Sequence, residues 1–581
     1  MLALWAVTTV ATLLTVAAHG PEKLASHYHA IYVRKSPAAR LEAALGALLM
    51  GEGNVTENPH IANDYGVGEE CSEWLDCGHK FHRYYRSLDG RCNNWRWPSW
   101  GAVNCPWPRW LPNAYDDAIH FHRYYRSLDG RCNNWRQPSW GAVNCPWPRW
   151  LPNAYDDGKN TPRQKSVHGP WSLPNPRTVS RTVVGQLVRL PKQGQSHMVM
   201  LWGQFVNHDM LATMEVDVNV TCDETTLPDP PYGCWCIPVQ KGDPFFEEGK
   251  CLRFTRAAPG ISSGKGPKVR EQFNGLTSYI DGSTIYGSSD ADLADLRVNQ
   301  HPGLTAMHNL WVVHHNLIAA DLKRIFHWSN DRIFHETRKL IGALQQVITY
   351  NEFLPSVLSP KLMLQYGLKH YQGGRYKPDC NACLHNSFGA AVFRFGHSMI
   401  RSKWSMNGKE DFIMKDNWFN RGPDKSETYL EALSLLRGMC KDVNYERDLE
   451  VVPGVCHHLF SSTPGRGTDL IAINIHRGRD HGLPPCNAFR KRFGLRPWRH
   501  WGDVKASLNA PITEKLRRLY KSPHDVDLYL CILGERPVGG GLLGELGGRM
   551  LAEQFRNTKE CDRFFYSNRN LDGHSPWTYN R

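Results

Sequence analysis

The residues best suited to chemistry fall in four short stretches. In LWGQFVNHDM at 201–210, Gln204 and His208 are four positions apart, so a helix puts both on one face, beside Asn207 and Asp209 in otherwise apolar company. A lone buried histidine is usually a satisfied core residue, but this one has polar partners. In LTSYIDGSTIYGSS at 276–289, Thr277, Tyr279, Asp281 and Ser283 recur every second residue. That alternation turns hard oxygen donors to one side of a looped or extended segment, which suits Ca²⁺; ST and Asx turns are the plainer account of the same residues. In AAVFRFGHSMIR at 390–401, Arg394 and His397 lie one helical turn apart, and INIHRGRDHGLPPCNAF at 473–489 adds Asn474 and Arg477. Brought together, these would supply an axial ligand for iron, a hydrogen bond to that ligand, and cations for the acidic groups of a haem.

Such residues must be carried by helices. From about residue 165 the patterns are amphipathic, as in residues 321–358 and 430–439, with Pro/Gly-rich connections between them and few period-2 strands. The expected fold is mainly α, with long excursions between helices. Residues 1–18 carry no charge and end in small residues, which predicts a secretory signal peptide cleaved after Ala18. Residues 19–76 read as a leader or propeptide-like segment, and 77–581 as one domain. Within it, residues 81–120 and 121–160 repeat almost identically, with Trp97 against Gln137 the one difference before the last three positions. Two copies are too few for a solenoid, so a recent duplication, or an error in assembling the coding sequence, explains them better than two evolved modules. Cys92 and Cys105 recur as Cys132 and Cys145, so each copy has the cysteines to close its own small loop, although spacing alone does not fix the connectivity.

The chain has 581 residues, 41 % hydrophobic and 22 % charged, which excludes general disorder and collagen-like or coiled-coil composition. Its net charge of +13 favours acidic matrix or membrane surfaces, and nothing in the charge pattern marks a nucleic-acid binder. After residue 18 no further run is long and apolar enough to span a bilayer, so no stable membrane insertion is expected. A secreted, extracellular chain would pair most of its 17 cysteines and expose the sequons at Asn54 and Asn219 to glycosylation. Cys380 and Cys383 form a lone CxxC, for which a local disulfide or two separate bridges fits better than zinc.

The motifs YRSLDGRCNN, WGQFVNHD, LTSYIDGSTIYGSS, RVNQHPGLTAMH, FRFGHS, INIHRGRDHGLP and AEQF occur in order between about Tyr125 and Arg569. In that order the chain resembles the animal haem peroxidase (peroxidase–cyclooxygenase) superfamily, and looks most like its arthropod chorion-peroxidase and peroxinectin-type members. The resemblance implies a helical fold around a buried haem. It further implies that His208 is the distal base for hydrogen peroxide, that Gln204 holds water or halide, and that Arg297 stabilises charge during O–O cleavage. His397 would be the proximal iron ligand, with Asn474 its hydrogen-bond partner and Arg394 and Arg477 near the propionates. Asp209 would complete a calcium site with Thr277, Tyr279, Asp281 and Ser283. The implied reaction is reduction of peroxide and oxidation of phenolic, tyrosyl or halide donors.

The chain departs from this family at several points. Asn207 and Gln300 stand where many members carry the Asp and Glu that form ester bonds to haem. An amide cannot form that ester, so non-covalent haem b is expected, with phenols or iodide likelier donors than chloride. The segment between residue 289 and Arg297 is several dozen residues shorter than usual, and LADLR resembles the sequence before the missing piece, so Arg297 matches either side of the gap. Val313-His-His-Asn-Leu317 replaces the usual REHNR. Lys241-Gly242-Asp243 matches a short integrin-recognition tripeptide associated with the peroxinectin group, but a tripeptide is weak evidence and a plain surface turn explains it better. An adhesive matrix protein that keeps the fold without turnover is therefore the alternative to the enzyme.

Overall fold

Met198–Met210 is apolar on nearly every side, and a helix of that kind is stable only when other elements cover it. The covering elements come from the whole length of the chain. A computed structural model describes residues 125–186, 194–215, 233–261, 269–288, 296–369, 376–406, 409–418, 428–461, 467–508 and 510–568. Its longer helices are α1 Pro176–Val183, α2 Met198–Met210, α3 Pro302–Phe326, α4 Asn330–Ile348, α5 Thr428–Lys441, α6 Leu470–Asp480, α7 Ala510–Leu519 and α8 Glu545–Glu560. The fold is mainly α, as expected, and its strands form only two-stranded ribbons. The longest are β1 Cys234–Pro238 with β2 Cys251–Thr255, and β3 Lys403–Met406 with β4 Lys409–Ile413. No helix of the described residues is long and apolar enough to cross a membrane.

Local chemistry sets the element ends. Asn175 caps α1 by accepting from the N–H groups of Arg177 and Thr178, with Pro176 opening the helix. Asp469 does the same for α6 through Ile471 and Ala472. The amphipathic stretch expected over 321–358 is the end of α3, then α4, a π turn and a short helix at Leu354–Val357: His327 turns left-handed at φ 51° and Ser329 restarts the chain as the cap of α4. Beyond α4, Thr349–Phe353 is a π turn, a rarity that often marks functional sites. It lies against α2, where Trp202 Nε1 donates to Thr349 Oγ1 at 3.2 Å. Gly438 lets α5 press onto β3, since a Cβ there would stand 1.6 Å from the Ser405 carbonyl oxygen.

One apolar cluster runs from Trp147 to Phe565 and includes Trp202, Trp311, Phe388, Ile475 and Phe555. Disulfides join Cys145 to Cys383, Cys236 to Cys251, Cys380 to Cys561 and Cys486 to Cys531. The CxxC thus divides into two separate bridges. A small loop between Cys132 and Cys145 does not form, because Cys145 takes a partner 238 residues away. The second copy of the repeat is built into this core: Arg126 meets both oxygens of Asp562 at 2.8 and 2.9 Å, and Asn133 donates to the same carboxylate at 2.8 Å. The first copy, residues 1–80 and both sequons lie outside the described residues.

Candidate functional site

Four elements bring the predicted residues to one region between α2 and the segment Val392–Met399, the slot. α2 brings Gln204, Asn207, His208 and Asp209, and the turn Leu296–Asn299 brings Arg297. The 3-10 segment Val392–Met399 carries Arg394 and His397, and α6 carries Asn474 and Arg477. The segments from α2 and from 392–399 touch directly, since Asn207 Nδ2 donates to the Phe393 carbonyl oxygen at 3.2 Å. Arg297 reaches the same place despite the short connection before it: its Nη2 donates to the His208 carbonyl oxygen at 3.2 Å. Gln300 closes that turn through its backbone N–H to the Arg297 carbonyl oxygen, and its side chain is half-buried.

His397 is only half-buried. Burial drives its imidazole down to about 3, so it is neutral, yet the residue keeps accessible surface. Gly396 is likewise only half-buried, and a Cβ there would meet nothing within 4 Å. Gly203, Gln204, Asn207, Arg297 and Arg394 are also half-buried inside an otherwise packed region. A neutral imidazole is what an axial iron ligand requires.

Behind the ring, Asn474 Nδ2 lies 2.7 Å from His397 Nδ1, and Arg394 Nη1 donates to Asn474 Oδ1 at 2.7 Å. Burial, then the nearby charge of Arg477, lowers the Arg394 guanidinium to about 10, and Arg297 acts in the same sense. Three guanidinium groups therefore share one region; Arg477 meets the half-exposed Glu215 at 2.6 Å and the buried Asp480 at 3.4 Å. Such a site has capacity for further carboxylates.

The oxygen-rich loop gathers beneath α2. Asp209 accepts from the N–H groups of Asp281 and Gly282 on one oxygen, and from the N–H and hydroxyl of Thr284 on the other. Asp281 Oδ1 accepts from Thr277 at 3.1 Å and from the Ser283 hydroxyl at 2.7 Å. The Asp281 Oδ2 atom is buried and accepts no hydrogen bond, and its nearest cations are Arg126 at 3.7 Å and Arg338 at 3.8 Å. Burial, then the charge of Asp281, pushes the Asp209 carboxyl up to about 7. Two such carboxylates with two hydroxyls fit a hard divalent cation. Tyr279 is set apart from them: its hydroxyl donates to the Trp140 carbonyl oxygen at 2.7 Å, so only its backbone is left for the cluster. The every-second-residue pattern holds for Thr277, Asp281 and Ser283 and fails at this side chain. Among the described residues no group of three or more His, Cys, Asp or Glu is gathered as for a metal.

Two residues of this region escape sequence reasoning. His301 bonds Gln204 through Nε2 at 2.9 Å; the signal for it is its place just before Pro302, the capping position of α3. Glu215 gives no such signal. Lys241-Gly242-Asp243 forms the plain surface turn, and Asp243 meets Arg177 Nε at 2.8 Å and Nη2 at 3.0 Å and accepts from the N–H of Phe245 and Phe246. Its side chain is 2 % exposed, so the tripeptide has no carboxylate to present to an integrin.

The animal haem peroxidase family model matches residues 85–124, 125–298 and 292–576. Its first two segments begin at residues 85 and 125, the same position of each repeat copy. Residues 292–298 are matched twice, at the place where the chain is short and Arg297 matches either side. The mouse peroxidasin homolog is 34 % identical over 84 % of this chain, which spans 35 % of that protein's length. Peroxidase mlt-7 of Caenorhabditis elegans is 32 % identical over 86 % of this chain and 67 % of its own. Among solved structures, peroxidase A of Dictyostelium discoideum has a TM-score of 0.65 at 25 % identity, covering 79 % of this chain and 98 % of that one. A fatty acid alpha-dioxygenase of Oryza sativa, TM-score 0.60 at 18 % identity, shares the fold.

Proposed function

Because the chain belongs to the animal haem peroxidase family, we propose that it is a secreted haem peroxidase that reduces hydrogen peroxide and oxidises phenolic, tyrosyl or halide donors. The observation that carries this reading is His397, a neutral, half-buried imidazole backed by Asn474 on a segment that meets α2. His397 would hold the iron, and Arg394 and Arg477 the propionates. Bound there, haem b supplies the redox chemistry of peroxide reduction and of two one-electron donor oxidations. His208 takes a proton from peroxide at an imidazole nitrogen and returns it to the departing oxygen. Arg297 supplies fixed positive charge where negative charge develops, and Gln204 fixes a water or halide beside it. Asn207 and Gln300 line the haem without bonding to it covalently. Asp209, Thr277, Asp281, Ser283 and the Tyr279 backbone hold Ca²⁺, which ties α2 to the 277–284 loop. The disulfides support an oxidising, extracellular setting, and the basic surface supports contact with an acidic matrix.

Recombinant full-length protein loaded with haem tests this. A Soret band with peroxide-dependent guaiacol oxidation is expected, and His208→Ala should keep the band while losing at least about 10²-fold in turnover. A wild-type protein that takes up no haem would end the proposal; cell attachment without turnover would favour the adhesive alternative.

A further inference from the structure

Gln204 has an amide with two chemically opposite ends, and the direction it faces decides what the distal pocket can bind. We propose that His301 is a positioning residue that fixes this polarity, so that Gln204 presents its N–H groups, not its oxygen, to the slot and selects an anion or an electron-rich oxygen there. The inference rests on the haem peroxidase reading and deepens it at one atom.

His301 caps α3, and its Nδ1 accepts the Leu304 N–H at 3.3 Å. An imidazole nitrogen that accepts is unprotonated, so in the neutral ring the proton is on Nε2. Burial lowers this ring to about 3 and keeps it neutral at any working pH. Nε2 is therefore a donor, and the atom 2.9 Å away on Gln204 is an acceptor, Oε1. An amide is planar with its two ends opposed, so anchoring the oxygen turns the nitrogen away from His301. Gln204 is half-buried among the slot residues and shares its helix face with His208. The histidine is held in turn: the Trp404 ring meets it edge-on at 5.3 Å, and Trp404 Nε1 donates to the Arg401 carbonyl oxygen at 3.0 Å. Gly303 leaves room for both, since a Cβ there would come within 3.0 Å of Trp404 and 3.2 Å of His301.

Two substitutions separate capping from positioning. His301→Asn keeps an acceptor near the place of Nδ1 and removes the Nε2 donor, whereas His301→Gln offers a donor at that reach and gives up the cap. Fluoride binding to the ferric protein, followed by the visible spectrum, reads the pocket without turnover. His301→Asn should weaken fluoride affinity by up to about tenfold, approaching the loss in Gln204→Leu, and His301→Gln should restore most of it. The ¹⁵N spectrum of histidine-labelled chain, with or without haem, should show His301 protonated at Nε2. An Nδ1–H tautomer, or wild-type fluoride affinity in His301→Asn, would overturn the inference. A wild-type chain that binds no haem would instead sink the peroxidase reading, and the tautomer would still decide the role of His301.

Discussion

One amide oxygen governs how His397 can act. With Arg394 donating to Asn474 Oδ1, the amide turns its N–H toward His397 Nδ1, which leaves the ring proton on Nε2. A ring that binds metal through Nε2 needs the reverse, an Nδ1–H held by an acceptor. For His397 to hold iron through Nε2, the Asn474 amide would have to turn over and its bond from Arg394 would have to break. Replacing Asn474 with Leu should lower haem affinity by about 10–100-fold, the usual effect of losing such a partner, as read by haem titration. Unchanged affinity would remove Asn474 from the site. Asn207 and Gln300 make a second prediction: acidic organic solvent should extract all the haem, and pigment left on the protein would refute non-covalent binding. The residues of the slot were readable because their types are rare in apolar company. The Asn474–Arg394 bond and the His301–Gln204 pair were not, because partner choice depends on packing between segments 80 and 97 residues apart.

At the scale of elements, Asp209 bolts α2 to the loop that follows β-rich chain, through four hydrogen bonds to Asp281, Gly282 and Thr284. Two buried carboxylates so close repel one another, and a divalent cation would reverse that cost. Calcium at 100 times its dissociation constant should stabilise the fold by about 2.7 kcal/mol, so EGTA should lower the melting temperature. A melting temperature indifferent to calcium and EGTA would remove the cation from the cluster. α1 offers a second test. Burial works against the Asp243 carboxylate, but the hydrogen bonds from Arg177 outweigh it and hold its pKa below the usual range. Asp243→Ala leaves Arg177 donors unmet beside Asp469, and should destabilise by about 1–3 kcal/mol in urea unfolding while cell attachment stays the same. Reduced attachment by a fully folded variant would revive the tripeptide. Helix existence was readable from period, as in α5. The break at His327–Ser329 was missed because apolar spacing continues across it while the backbone turns left-handed.

Over the whole molecule, contacts distant in sequence tie the second copy of the repeat into the core. Asp562 is engaged by Arg126 and Asn133, and Cys383 by Cys145, all from the second copy. No local pattern could assign Cys145 to a sulfur 238 residues away, and for that reason spacing left the pairing open. The buried histidines give the molecule its acid response. Burial holds His301, His314 and His335 at about 3, and His315 and His385 at about 4. In the unfolded chain each titrates near 6.5, so between about pH 4 and 6.5 the unfolded state binds more protons than the native one. The stability these neutral rings allow is whole above about pH 6.5 and is lost as pH falls, by up to about 1.4 kcal/mol per pH unit for each ring. Asp209 and Asp448, raised by burial to about 7 and about 6, act in the opposite sense. Five rings outweigh two carboxyls, so the melting temperature should fall steadily from pH 7 to pH 5. A flat or rising profile across that interval would mean that these histidines reach water in the native fold, and the tight packing around α2 and α3 would have to be abandoned.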